Sequence, residues 1–299
     1  MTSRAPALAL TGAGAIAFTG VLVRLASVAP ASAAFWRCAY ALPLLGGLAL
    51  VERRRHGPLP RRTLVLATIA GLFFAADLEL WHHSIAAVGA GMSTVVANLQ
   101  VIVVGVVAWL ALGERPSRRV VGAVPLALAG VALIAGVGAG DAYGNDPVLG
   151  VLFGLLTAIA YAGFLLVIRE AGRDLRPPAG RMFCATASCA AGIVVVGAPL
   201  GELALVPTWP AHGWLLLLAL SGQVVGYLAI AASLPLLPAV VASIILLVQP
   251  VLSVLLAAWL VHERPSPSQL VGVGLVVVGI VMATTGSRTE QAAAVPAEA

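Results

Sequence analysis

Arg24, Arg37, Asp77, Glu79, His82 and His83 are ionisable residues set inside otherwise apolar stretches of the chain. A charge in a hydrocarbon environment is costly, so such groups pair with one another or mark a substrate path. Two arginines and two carboxylates cancel, as a desolvated cluster requires. The functional reading of Arg24, Arg37, Asp77 and Glu79 is an outer gate or a clamp for a substrate carboxylate. The structural reading is arginines reaching toward head groups, with the carboxylates near the interface. On a helix, Asp77 and Trp81 share one face, and Glu79, His82 and His83 share another. One carboxylate is expected to face a cavity and the other a neighbouring helix. Asp77 is favoured for the cavity, because an acid beside an aromatic ring recognises cations. Adjacent histidines diverge on a helix and no third ligand is spaced to join them, so no metal site is expected.

The other polar residues inside apolar runs are few: Asn98, Gln100, Tyr161, Gln223, Tyr227 and Gln249. Each is a candidate for lining a cavity or for bonding one helix to another. Cys38, Cys184 and Cys189 also fall in apolar runs, without metal or redox spacing. The chain contains no phosphate-binding loop, nucleophile elbow or zinc-hydrolase motif, so neither a cofactor nor an enzymatic activity is expected.

The elements that must position these residues follow from composition. Of 299 residues, 61% are hydrophobic and 10% charged, with mean hydropathy +1.03. Soluble domains are about 45–50% apolar and about 25% charged. Ten apolar runs are readable, at 7–27, 32–51, 63–84, 88–111, 119–138, 147–168, 181–200, 212–233, 239–261 and 269–285. A membrane-crossing helix needs about 20 apolar residues. The fold class predicted is therefore an all-α membrane protein of ten transmembrane helices. The N-terminal run is longer than a signal-peptide core and is closed by Arg24, so it is read as an uncleaved span.

All seventeen basic residues are arginine. With the N-terminus in the cytoplasm, fourteen fall in inside segments and only Arg264 in an outside loop. That asymmetry places both termini in the cytoplasm. The net charge of +5 sits in these short loops, which argues against nucleic acid as a partner.

A repeat runs through the chain. Gln100 leads to Gly113-Glu114-Arg115-Pro116-Ser117, and Gln249 to His262-Glu263-Arg264-Pro265-Ser266, at an offset of 149. Five spans per copy is odd, so the second copy must be inverted relative to the first. The repeats are read as 6–140 and 147–286, with a disordered cytoplasmic tail at 287–299. Glu114, Arg115, Pro116, Glu263, Arg264 and Pro265 are read as turn residues, because proline and serine start the next helix.

The two Glu-Arg-Pro-Ser turns, Phe35-Trp36-Arg37, Asp77-Leu78-Glu79-Leu80-Trp81, Ala97-Asn98-Leu99-Gln100 and Gln249-Pro250 carry a family likeness. Over roughly residues 6–286 the chain resembles the EamA-type transporters of the drug/metabolite transporter superfamily. The first repeat departs from the pattern, with Val101 where the second has Pro250. The resemblance implies a secondary transporter, an exporter or facilitator in the cytoplasmic (inner) membrane, moving a small metabolite or drug-like molecule by alternating access. Its expected partners are that small-molecule substrate and membrane lipid, with a homodimer left open. An intramembrane enzyme acting on a lipid-linked substrate and a non-transporting scaffold or sensor are the competing readings.

Overall fold

The computed structural model describes residues 4–112, 118–137, 142–173, 176–206, 208–233 and 248–293. Within them every regular element is a helix. The first half holds α1 (Arg4–Ala26), α2 (Pro30–His56), α3 (Arg61–Val88), α4 (Ala90–Ala97), α5 (Gln100–Leu112) and α6 (Arg118–Ile134). The second half holds α7 (Pro147–Ala171), α8 (Ala179–Gly197), α9 (Ala211–Leu218), a π-helical segment (Ala219–Gly226), α10 (Tyr227–Ser233), α11 (Val248–Leu260) and α12 (Pro267–Ala293).

Six of the described helices are long and apolar enough to cross a membrane, and four shorter apolar helices lie within 90–104, 121–134, 248–260 and 267–282. The surface agrees with a lipid solvent. Leu50, Leu72, Leu152, Ile159, Val195 and Trp259 are exposed, while Arg37, Asp77, Gln223 and Gln249 are buried. A soluble monomer rarely exposes apolar residues on this scale.

Packing between the halves is symmetric in kind. α3 packs on α7 and α8, while the α9–π–α10 span packs on α1 and α2. α1 packs on α11, and α7 packs on α4 in the same relation. α2 meets α8, and α6 meets α12. The α6–α12 seam is a close backbone approach: a Cβ on Gly272 would lie 2.6 Å from the Gly130 carbonyl oxygen.

Local chemistry sets the helix ends. Pro30, Pro147 and Pro267 open helices at a position where a missing N–H costs nothing. Asp146 caps α7 by accepting from the Leu149 N–H at 3.0 Å. Ser266 and Gln269 form a reciprocal capping box: the Ser266 N–H donates to Gln269 Oε1 at 3.0 Å, and the Gln269 N–H donates to Ser266 Oγ at 3.3 Å.

Two expectations are corrected. The run 88–111 is two helices, α4 and α5, separated by a tight turn at Asn98-Leu99. Position 101 is valine, so the break has another cause: the Asn98 side-chain amide donates to the Thr94 carbonyl at 2.8 Å. The Leu99 N–H then takes the Val96 carbonyl, a three-residue step. The last helix runs through Ala293, seven residues into the segment expected to be a disordered tail; 294–299 lie outside the described residues. Glu263 lies in the turn between α11 and α12, and there it is buried, at 3% exposure. Glu114, Arg115 and Pro116 lie outside the described residues.

Candidate functional site

Arg37 enters the core from the second turn of α2 and is 1% exposed. Three rings surround its guanidinium, Phe74 and Trp81 of α3 and Tyr227 of α10, with Cζ 5.8–6.0 Å from each centroid. Arg37 Nε donates to Gln223 Oε1 at 3.1 Å, and Gln223 Nε2 donates to Thr186 Oγ1 at 3.1 Å. Gln223 sits in the π-helical segment, where the wider turn interrupts α-helical spacing. Among the described residues, rings and amide hold the cation without a carboxylate on it, and Arg37 Nη1 is buried with no hydrogen-bond partner.

Arg37 and Asp77 line one chamber of about 50 Å³. Its walls come from Ile16 and Thr19 of α1, Leu78 and Trp81 of α3, Thr94 and Ala97 of α4, and Asn98. Thr157 and Tyr161 of α7, Tyr227 of α10 and Gln249 of α11 close it from the second half. Asp77 accepts no hydrogen bond among the described residues, and Arg37 and Asp77 are not among the ion pairs within 4.0 Å. A water needs roughly 10–15 Å³ of such space, and small-molecule pockets run to about 300 Å³ or more. The chamber has room for a few waters and must widen to admit a metabolite. A larger cavity of about 520 Å³ lies elsewhere, between Glu52, Arg53 and His56 at the end of α2 and Arg176, Gly180 and Phe183 beside α8. It contains none of the buried polar residues of the chamber.

The proposed cavity residues separate accordingly. Asp77, Trp81, Asn98, Tyr161, Tyr227 and Gln249 meet in the chamber. Gln223 lies behind it as the holder of Arg37. Gln100, the repeat partner of Gln249, is buried outside it with Oε1 unpartnered.

The expected outer cluster of two arginines and two carboxylates is split into three sites. Arg24 pairs with Glu263 at 3.6 Å, across the halves. Glu263 Oε1 and Oε2 accept the Ala90 and Gly91 N–H groups at 2.7 and 3.2 Å, capping α4. Glu79 faces His83, at 3.4 Å, and forms no ion pair with either arginine among the described residues. Only Arg37 and Asp77 stay together. The cause is rotational: Asp77 and Glu79 are two apart on a helix and cannot face the same neighbour.

Sequence reasoning missed two carboxylates. Glu52 at the end of α2 accepts the Ala179 and Gly180 N–H groups at 2.9 and 2.8 Å, capping α8. Glu202, after α8, meets His83 Nε2 at 3.4 Å. An offset of 150 relates these two acids, one residue from the repeat offset, and was the available signal.

The family model of EamA-like transporters matches residues 4–136 and again 148–285. No curated protein matches the chain. Eighteen chains of solved structures match it. One, described only as "Crystal structure of protein", is 20% identical, with TM-score 0.64 over 97% of this chain and 100% of that one. At that identity the likeness speaks for the fold alone.

Proposed function

Because the chain belongs to the EamA-like transporter family, we propose that it is a ten-span secondary transporter working by alternating access between two inverted repeats. Its substrate is a small zwitterion bound in the Arg37–Asp77 chamber. The observation that carries this reading is the buried, unpartnered Nη1 of Arg37 beside a carboxylate that accepts no hydrogen bond, between the repeats. An unpaired buried donor is costly, and a substrate carboxylate would complete it in charge-assisted form. Asp77 with the Trp81 face would take the substrate's cationic group. Transport sites of inverted-repeat carriers lie near the midplane at the repeat interface, and this chamber draws on α1 to α4 and on α7, α10 and α11. The arginine distribution supports both termini in the cytoplasm, in a cytoplasmic membrane.

The test is flux in proteoliposomes against a panel of zwitterionic, anionic, cationic and neutral metabolites. Zwitterions should move, and Arg37→Gln and Asp77→Asn should each abolish that flux while the exposed-site variant His56→Ala leaves it intact. Flux no higher than in protein-free liposomes for every compound, or flux of neutral compounds alone, would overturn the reading.

A further inference from the structure

Glu79, His83 and Glu202 bring one Nε2 and two carboxylates together, with the ligating atoms all within 4.8 Å of one another. His83 Nε2 is 3.4 Å from Glu79 Oε1 and 3.4 Å from Glu202 Oε2. Good N–H···O bonds span about 2.7–3.2 Å, so both contacts are long for hydrogen bonds. They suit a shared ion. Zinc ligands lie about 2.0–2.2 Å from the metal, which separates two tetrahedral ligand atoms by about 3.3–3.6 Å.

Three of the four carboxylate oxygens have no hydrogen-bond partner among the described residues. Glu79 is 8% exposed, and both its oxygens are buried with no hydrogen-bond partner. Glu202 Oε2 is buried and unpartnered in the same way. Two carboxylates, that of Glu79 buried, against one imidazole leave negative charge uncompensated, which a dication would neutralise. The repeat sharpens the contrast. Glu52 spends both oxygens on the N-terminus of α8, whereas the Glu202 carboxylate, one position off the repeat offset, turns to His83.

The surroundings fix the ligands in place. His83 stacks on Phe153 at 5.3 Å between centroids. Glu202 belongs to a loop strapped onto α2: Ser32 Oγ donates to the Glu202 carbonyl at 2.6 Å, the Ala204 N–H donates to Ser32 Oγ at 2.8 Å, and Trp36 Nε1 donates to the Ala204 carbonyl at 2.9 Å. The His83 and Glu202 side chains keep 25% and 30% exposure, which gives an ion a way in.

We propose that Glu79, His83 and Glu202 bind a divalent transition metal of the zinc class, and that the ion pins the α8–α9 loop to α3. The site lies at the end of α3 opposite Arg61 and Arg62. One imidazole and two carboxylates favour a borderline ion over Mg²⁺ or Ca²⁺, which prefer all-oxygen shells. Three protein ligands leave a fourth position for water.

The experiment titrates Zn²⁺ into the purified, metal-stripped full chain in nanodiscs, by calorimetry and by thermal melting. One ion per chain should bind, raise the melting temperature, and resist competition by equimolar Mg²⁺ or Ca²⁺. Glu202→Gln, a loop substitution, and His83→Ala should each weaken binding at least about tenfold and remove the melting shift. His56→Ala, a histidine at the other end of α2, should bind as the wild type does. Absence of saturable Zn²⁺ binding to the wild type overturns the proposal. So does binding that survives in both folded variants, or that Mg²⁺ displaces at equal concentration. If one variant fails to fold, the other and the wild-type titration still decide.

Discussion

Glu263 offers the sharpest test of how the halves are held together. Its carboxylate is buried, accepts the first two N–H groups of α4, and meets Arg24 from α1. Removing it with Glu263→Ala strands both N–H groups in a buried site. Each stranded donor costs about 1–3 kcal/mol, so the variant should lose about 2–4 kcal/mol, the relief of a buried charge offsetting part of the sum. Glu263→Gln keeps one acceptor oxygen and should lose about 1–2 kcal/mol. Arg24→Ala should lose less than about 1 kcal/mol, because Arg24 keeps 35% exposure and a 3.6 Å contact is weakly directional.

Burial pushes the Glu263 carboxyl above the usual glutamate range, against the pull of the two N–H donors and Arg24. A folded pKa raised in this way contributes stability at low pH that is lost as pH rises through it. Wild-type stability should therefore fall as pH rises above the ordinary glutamate range, and Glu263→Gln should lack that component. Equilibrium unfolding in mixed detergent–SDS micelles reads all of these quantities. If Glu263→Ala unfolds within about 0.5 kcal/mol of wild type, or if Arg24→Ala costs more than Glu263→Ala, the capping account is refuted.

Three further outcomes follow from the geometry. A double-mutant cycle of Arg37→Gln with Gln223→Leu should show coupling of about 1–2 kcal/mol in the same unfolding assay, while Arg37→Gln with Glu79→Gln should be additive; the reverse result would restore a direct pairing with Glu79. Gly71→Val should destabilise the fold by about 1–3 kcal/mol in detergent melting, because a side chain there meets the Ala185 backbone and Ser188 of α8; unchanged melting would show the α3–α8 seam to be looser than described. Single cysteines at Ser117 and Ser266 should label from opposite sides of the membrane, and labelling from one side would sink the inverted-repeat topology.

The sequence by itself determined the features that depend on local composition. Runs of about 20 apolar residues with proline at their margins can only satisfy their backbone in lipid as helices, and three of the described helices, α2, α7 and α12, begin at a proline. The Gln–Glu spacing repeated at offset 149 exposed two copies before any contact was known. The chamber was legible in part for the same reason: a polar residue in an apolar run must find a partner or a cavity, whichever fold carries it. What sequence could not decide was which partner. Charge balance put Arg24, Arg37, Asp77 and Glu79 in one cluster, but a helix turns about 100° per residue, and depth along a helix leaves azimuth open. Tertiary structure sent Arg24 to Glu263 in the other half, gave Arg37 an amide and three rings instead of a carboxylate, and turned Glu79 toward His83 and Glu202. Glu202 lies 119 positions from His83, and only the packing of α3 against α8 brings them together, because that seam fixes both the rotation of one helix and the path of the loop leaving the other.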